Sequence, residues 1–138
     1  MPTVASQVFI ARRYLARGFL DTAMHLLLRH PEAASRADWD RLVEGLLERQ
    51  RIADVVRVCA IGGIPLPRAR LLALGDARLE ARDVKGAKLL YELAEADAAR
   101  WERFIDVLTA SPALERLAIE VAERHLLPRA LQEPGLGT

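Results

Sequence analysis

The sequence predicts an all-α protein assembled from four stacked helix-turn-helix units. Three observations lead to this fold class. The composition is rich in alanine and leucine and contains only 5% aromatic residues, a mixture that loses little rotamer freedom in helices. Turn signals separate apolar segments of helical length at regular intervals. The pattern of apolar and small residues then recurs about every 32 residues.

The first unit shows how each pair of helices is delimited. Apolar residues recur at helical spacing over 4–17, and Gly18 ends the run with a tight turn. A second amphipathic run occupies 20–30, and Pro31 prevents its continuation. Ser35 provides a side-chain oxygen that can cap the start of the next helix. These signals predict a helix, a turn and a second helix.

The second and third units follow the same order and are separated by a stiff connection. Helices are predicted over 37–49 and 52–61 and, after the connection, over 67–82 and 84–96. The connection is the segment Gly62-Gly63-Ile64-Pro65-Leu66-Pro67. Its two glycines end a helix, and its prolines prevent an immediate continuation.

The fourth unit is predicted to occupy 98–110 and 112–127. Pro112 stands at a first helical turn, where its missing N–H leaves no helical hydrogen bond unmade. Helical periodicity fades beyond this unit. We therefore expect a single helical-repeat domain over 1–127 and a flexible C-terminal tail over 128–138.

Apolar and small residues occupy equivalent positions in successive units. A shift of about 32 residues superimposes the first unit on the second and third, and a shift of about 30 adds the fourth. The equivalent sets are Ile10, Leu42, Leu74 and Phe104; Ala23, Val55, Ala87 and Leu117; and Leu27, Cys59, Tyr91 and Val121. Trp39 and Trp101 share a further position, which we expect to pack between helices. One pair alone could not bury its apolar stripe, whereas four stacked pairs can.

This pattern resembles the tetratricopeptide repeat, whose signature is W-x2-L-G-x2-Y, then A-x3-F, then P. The third unit contains Leu71-x2-Leu74-Gly75-x2-Arg78, followed by Ala87-x3-Tyr91. The repeats of this chain are divergent and, at about 32 residues, shorter than those of the family. The resemblance implies a right-handed α-solenoid of about four repeats and eight helices. It also implies that a peptide or helix docks along the first helices of the pairs.

The net charge and the cysteine content indicate which partners and which cellular compartment to expect. The formal net charge is +1, so no charge excess favours a phosphate-rich partner. Cys59 is the single cysteine, so an internal disulfide is excluded, and a reducing, cytoplasmic location is expected. The N-terminal segment lacks the uninterrupted apolar region of a secretory signal, and no stretch has the length and apolarity of a membrane span.

Acidic residues at helical spacing mark the predicted outward face of the first helices. We expect this face to form an acidic concave groove that binds the partner, through Asp40, Glu44, Glu48, Asp76, Glu80, Glu102 and Asp106. Like charges four residues apart are mildly destabilising, so a basic or arginine-rich segment would compensate them. A second partner-binding surface is expected on the C-terminal helix, where Ile119 and Leu126 could also mediate self-association.

The sequence favours a non-catalytic protein–protein interaction module, such as an adaptor, an assembly factor or a chaperone. Its histidines, His25, His30 and His125, form no ligand pair at metal-binding spacing, and no catalytic residues or cofactor motif are predicted. An alternative is RNA binding, because residues 39–65 also resemble a pentatricopeptide unit. The acidic face disfavours nucleic acid. A structural subunit of a larger assembly is a third hypothesis.

Overall fold

Helices make up most of the part of the chain that the structure describes. The computed structural model describes residues 2–127 and contains no β-strand within them. Eight α-helices pack in neighbouring pairs. The chain divides after Leu66 into two compact units, called unit 1 and unit 2 below. The all-α fold class is therefore confirmed, and the tail predicted over 128–138 lies outside the described residues.

Unit 1 consists of two helix pairs. Its helices are α1 (Val4–Ala16), α2 (Leu20–Arg29), α3 (Arg36–Glu48) and α4 (Ile52–Gly62), with a 3₁₀ turn at Pro31–Ala33 between α2 and α3. The Ser35 hydroxyl accepts a hydrogen bond from the Asp38 N–H, and the Asp38 carboxylate accepts one from the Ser35 N–H. This reciprocal capping box satisfies two N–H groups that the first turn of α3 would otherwise leave unpaired.

Unit 2 has the same order of pairs but a less regular end. Its helices are α5 (Arg68–Glu80), α6 (Val84–Leu93), α7 (Ala98–Thr109) and α8 (Glu115–Val121). A 3₁₀ turn at Pro112–Leu114 precedes α8, and a π-helical segment at Ala122–Leu126 follows it. The predicted single helix over 112–127 is therefore three kinds of helical turn in succession. Throughout residues 2–127, every helix is too short or too polar to span a lipid bilayer.

The same turn joins the two helices in three of the pairs. The backbone is left-handed at Gly18, Gln50 and Arg82, with φ of 81°, 54° and 65°. The N–H groups of these residues donate in the same way to carbonyls three positions earlier, namely those of Leu15, Leu47 and Leu79. These hydrogen bonds satisfy carbonyls at the ends of α1, α3 and α5. Only one of the three positions is glycine, although glycine adopts this conformation without steric cost.

Most of the equivalent small and apolar positions found in the sequence lie in the cores of the units, but Ile10 is 43% exposed, and Leu74 and Leu117 are only partly buried. Ala23, Val55 and Ala87 are fully buried, and so are the larger side chains Leu27 and Tyr91. In the first and third pairs, the buried alanines Ala23 and Ala87 let the backbones of the two helices approach closely.

The two tryptophans pack in the core, as predicted. Trp39 and Trp101 are 2% and 1% exposed. In unit 1 the Trp39 ring covers the end of α4, where a Cβ on Gly62 would lie 2.8 Å from the ring. Gly63 then adopts a left-handed φ of 65°. The two glycines thus end α4 for two separate reasons, close packing at the first and backbone conformation at the second.

Enlarging Ala87 is expected to destabilise unit 2. Ala87→Leu forces extra volume into a fully buried position and should lower the free energy of unfolding by about 1 to 3 kcal/mol. Ala77→Leu, at an exposed site in the last turn of α5, should change it by less than about 0.5 kcal/mol. Urea unfolding of both variants measures the difference. Equal shifts would contradict the assigned packing of α6.

Candidate interaction grooves

A surface groove lies in unit 1 between the α1–α2 turn and α3. We call it groove 1, and its volume is about 470 Å³. It combines an apolar floor with charged side chains, and it is lined by Leu15, Ala16, Gly18, Leu20, Arg41, Glu44, Gly45, Glu48 and Arg49. Charged groups at the edge of an apolar floor are typical of sites that hold an amphipathic segment.

A second groove lies in unit 2 between the α5–α6 turn and α7. We call it groove 2, and its volume is about 550 Å³. It is lined by Asp76, Leu79, Glu80, Arg82, Tyr91, Arg103, Asp106, Val107 and Ala110. Like groove 1, it combines apolar side chains, here Leu79, Tyr91 and Val107, with charged side chains of both signs.

The two grooves use equivalent positions of the sequence alignment. Leu15 corresponds to Leu79, Arg41 to Arg103 and Glu44 to Asp106. In each unit the first of these residues comes from the first helix of one pair, and the other two come from the first helix of the next pair. The grooves are therefore two versions of one feature of the helix pairing.

Five of the seven carboxylates predicted from the sequence line these grooves. Glu44 and Glu48 line groove 1, whereas Asp76, Glu80 and Asp106 line groove 2. The other two, Asp40 and Glu102, are exposed and line neither groove. Asp40 instead accepts a hydrogen bond of 2.9 Å from Arg36, one turn earlier on α3.

Asp76 is held by an ion pair within unit 2. Arg100 on α7 directs Nε and Nη2 at the Asp76 carboxylate, at 3.1 to 3.3 Å, and the Tyr91 hydroxyl donates to the same group. Burial alone would raise the pKa of Asp76, but the hydrogen bonds from Arg100 and Tyr91 outweigh it and keep the pKa below its ordinary value. Burial and the bond to Asp76 raise the pKa of Tyr91. Asp76 therefore joins α5 to α7 through Arg100.

Unit 1 has an ion pair at the equivalent place with the charges exchanged. Arg12 on α1 donates to Asp38 on α3 through Nε at 2.8 Å and Nη2 at 3.0 Å. Asp38 is 4% exposed. Burial would raise the pKa of Asp38, but the bonds from Arg12 and Ser35 outweigh this effect and lower it. In both units a bidentate arginine–carboxylate pair therefore fixes the spacing of the first helices beside the groove.

The charge of the grooves differs from the acidic surface expected from the sequence. Arg41 and Arg49 accompany the two glutamates of groove 1, and Arg82 and Arg103 accompany the carboxylates of groove 2. Asp76 is paired with Arg100. From the sequence, repulsion among the carboxylates was expected to require a basic partner. Arginines of the chain itself largely offset this repulsion.

The two apolar residues predicted for a C-terminal surface have different environments. Ile119 on α8 is 51% exposed and remains available for docking. Leu126, in the π-helical segment, is partly buried against the core of unit 2. Packing within the unit therefore accounts for Leu126.

Cys59 and His125, two further candidates for chemistry, are held by packing within their units. Cys59 is buried, and burial raises the pKa of its thiol, which disfavours the nucleophilic thiolate. His125 stacks on the Trp101 ring at a centroid distance of 3.9 Å. Among residues 2–127, no group of three or more His, Cys, Asp or Glu side chains is arranged to hold a metal ion.

Acid is expected to remove the stabilisation that Asp38 provides. Because the native pKa of Asp38 is lowered, its contribution is fully present above the unfolded pKa of about 4. The contribution is then lost as the pH falls through the lower native value. The stability difference between the wild type and Asp38→Asn, measured by urea unfolding from about pH 6 downwards, should narrow below about pH 4. A difference that stays constant over this range would contradict the assignment.

No protein-family model matches the chain, and neither a curated protein nor a solved structure matches it.

Proposed function

We propose that the protein is a non-catalytic protein–protein interaction module of the adaptor, assembly-factor or chaperone type, and that it acts in the cytoplasm. Its partner segment, a peptide or a helix, binds in grooves 1 and 2. The observation that carries this proposal is the recurrence of one groove, of similar size and lining, at equivalent positions of two units. A feature of helix pairing that recurs in this way suits an extended segment with repeated anchors.

The proposal includes a tetratricopeptide-like arrangement of the helix pairs as a right-handed α-solenoid. Support comes from the turns at Gly18, Gln50 and Arg82, which share one backbone conformation and one hydrogen-bond pattern. The burial of Ala23 and Ala87 at equivalent positions is also consistent with it. In such an arrangement the first helices of the two pairs of a unit line one surface of that unit.

The lining of the grooves defines the chemistry of the segment. Leu15 and Leu20 form an apolar wall in groove 1, and Leu79 and Val107 do so in groove 2. Apolar side chains of the partner would provide most of the affinity there, since burial of apolar area is the main favourable contribution. The mixed rim favours a segment that carries both charge signs over a purely basic one.

Filling the grooves should abolish partner binding. Ala16 and Ala110 are exposed alanines that line groove 1 and groove 2, so Ala16→Trp and Ala110→Trp block the grooves without replacing a core residue. Tagged wild type and variants would be used for quantitative pull-down from lysate. We expect recovery of the specific partner to fall about tenfold or more, equivalent to about 1.4 kcal/mol of binding free energy.

Two controls separate groove binding from other causes of this loss. Ala53→Trp and Ala113→Trp place the same ring at exposed sites that line neither groove, and they should retain the partner. Nuclease treatment should leave recovery unchanged. Loss of the partner on nuclease treatment would favour the RNA-binding alternative. Binding that survives both groove variants but is lost in Ile119→Asp would place the interface on the C-terminal helix.

A further inference from the structure

A third cleft lies in unit 1 on the second helices of the two pairs, between α2 and α4. Its volume is about 370 Å³. It is lined by Asp21, Met24, His25, Leu28, Arg29 and Arg57. These residues are separate from the lining of groove 1 and serve no purpose in the function proposed above.

Basic side chains converge on this cleft from two helices. His25 and Arg29 are four residues apart on α2 and therefore lie on the same face of that helix. Arg57 reaches the cleft from α4. Met24 and Leu28 provide apolar surface beside them. The cleft thus combines cationic groups with a surface on which a methylene chain could pack.

The cleft also contains the Asp21 carboxylate, which shares one arginine with the neighbouring Asp54. Arg51 Nη2 lies 2.7 Å from Asp21 Oδ1 and 2.7 Å from Asp54 Oδ2. Arg51 offsets one of these two negative charges, and Arg29 and Arg57 outweigh the other, so the five side chains together carry one positive charge. Arg29 and Arg57, which line the cleft, make weaker contacts than Arg51 does.

Arg57 has more donor capacity than its contacts use. Its Nη2 lies 3.6 Å from Asp54 Oδ1 and 3.6 Å from the Met24 sulfur. The first distance is too long for a hydrogen bond, and a thioether is a weak acceptor. A guanidinium carries five N–H donors. In the described part of the chain, no ion pair includes Arg29, which is exposed at the end of α2.

We propose that the α2–α4 cleft binds the carboxylate of an acidic side chain in a protein partner, through Arg29 and Arg57. Arginine donors match the two oxygens of a carboxylate and form charge-assisted hydrogen bonds with them. The partly buried Leu28 packs against the aliphatic stem of the bound glutamate or aspartate. This surface is distinct from groove 1, so the protein would contact an acidic segment and an amphipathic segment through different helices.

NMR titration of the full chain with a hexaglutamate peptide tests this proposal. Backbone amide and arginine Nε–Hε resonances would be followed, with hexaglutamine as the uncharged control peptide. We expect saturable shifts at Arg29 and Arg57 with hexaglutamate and no shifts with hexaglutamine. Arg29→Gln and Arg57→Gln should each raise the dissociation constant about tenfold or more, because each removes a charge-assisted hydrogen bond.

Arg116→Gln is the matched control for general electrostatic attraction. Arg116 is an exposed arginine of α8, and its replacement removes the same charge. It should change the dissociation constant less than about twofold, since exposed charges at a distance are screened by salt. The proposal is overturned if Arg116→Gln weakens binding as much as Arg29→Gln does. Absence of saturable shifts at Arg29 and Arg57 would overturn it as well.

Discussion

Trp101→Ala is expected to lower the free energy of unfolding by about 3 to 5 kcal/mol, which is the usual cost of removing a buried large aromatic side chain. Trp101 is 1% exposed. Its ring packs edge-on against Tyr91 and Phe104, each at a centroid distance of 5.5 Å, and stacks on His125. Truncation therefore leaves a cavity and removes three aromatic contacts within unit 2.

Urea unfolding monitored by circular dichroism measures this loss, and Phe9→Ala provides the control. Phe9 is an aromatic residue of α1 with 53% exposure, and its replacement should cost less than about 1 kcal/mol. A loss in Trp101→Ala that is no larger than that in Phe9→Ala would show that the assigned core of unit 2 is wrong.

Asp38→Ala should be the most damaging change to a charged residue in unit 1, at about 2 to 3 kcal/mol. This loss of stability is the sum of two lost interactions. The hydrogen bond that the Asp38 carboxylate accepts from the Ser35 N–H, which is half of the capping box of α3, is lost, and this costs about 1 kcal/mol. The two hydrogen bonds from Arg12 are lost as well, and bonds to a charged group contribute about 1.5 to 3 kcal/mol. Because Arg12 is half exposed, water partly replaces its lost partner, and the sum stays below the upper limit.

Asp40→Ala is the matched control for this variant. Asp40 lies on the same helix and pairs with Arg36, but both side chains are exposed. An exposed pair at this spacing contributes at most about 0.5 kcal/mol. Thermal or urea unfolding that ranks Asp40→Ala with Asp38→Ala would contradict the role assigned to the buried ion pair.

The helices and the core could be predicted because both depend on local patterns. Periodicity and turn residues gave the bounds of α1 to α7 to within a few residues, since Gly18 and Gly62-Gly63 are unambiguous breaks. The alignment of units predicted that Trp39 and Trp101 are core residues. The bounds of the last helices in unit 2 were harder to predict, because periodicity does not distinguish an α-helix from the 3₁₀ and π-helical turns on either side of α8.

The ion pairs beside the grooves could not be predicted from periodicity. Asp76 and Arg100 are brought together by the packing of α5 on α7, and many arginines at other positions were equally compatible with the sequence. The mixed charge of the grooves, in contrast, could be predicted from the sequence. Arg41 precedes Glu44 by three residues, so the two share a helix face, as Arg103 and Asp106 do. Examining arginines together with carboxylates on that face would have indicated a mixed rim.

Site-specific photo-crosslinking tests the groove proposal most directly, because it reports contact and does not depend on affinity. A photoreactive phenylalanine analogue would replace Ala16 in groove 1 and Ala110 in groove 2. Ala53 and Ala113, which line neither groove, would be replaced in the same way as controls. We predict adducts with one partner protein from both groove positions and none from the control positions. Adducts that form at Ala53 or Ala113 but not at Ala16 or Ala110 would contradict the account.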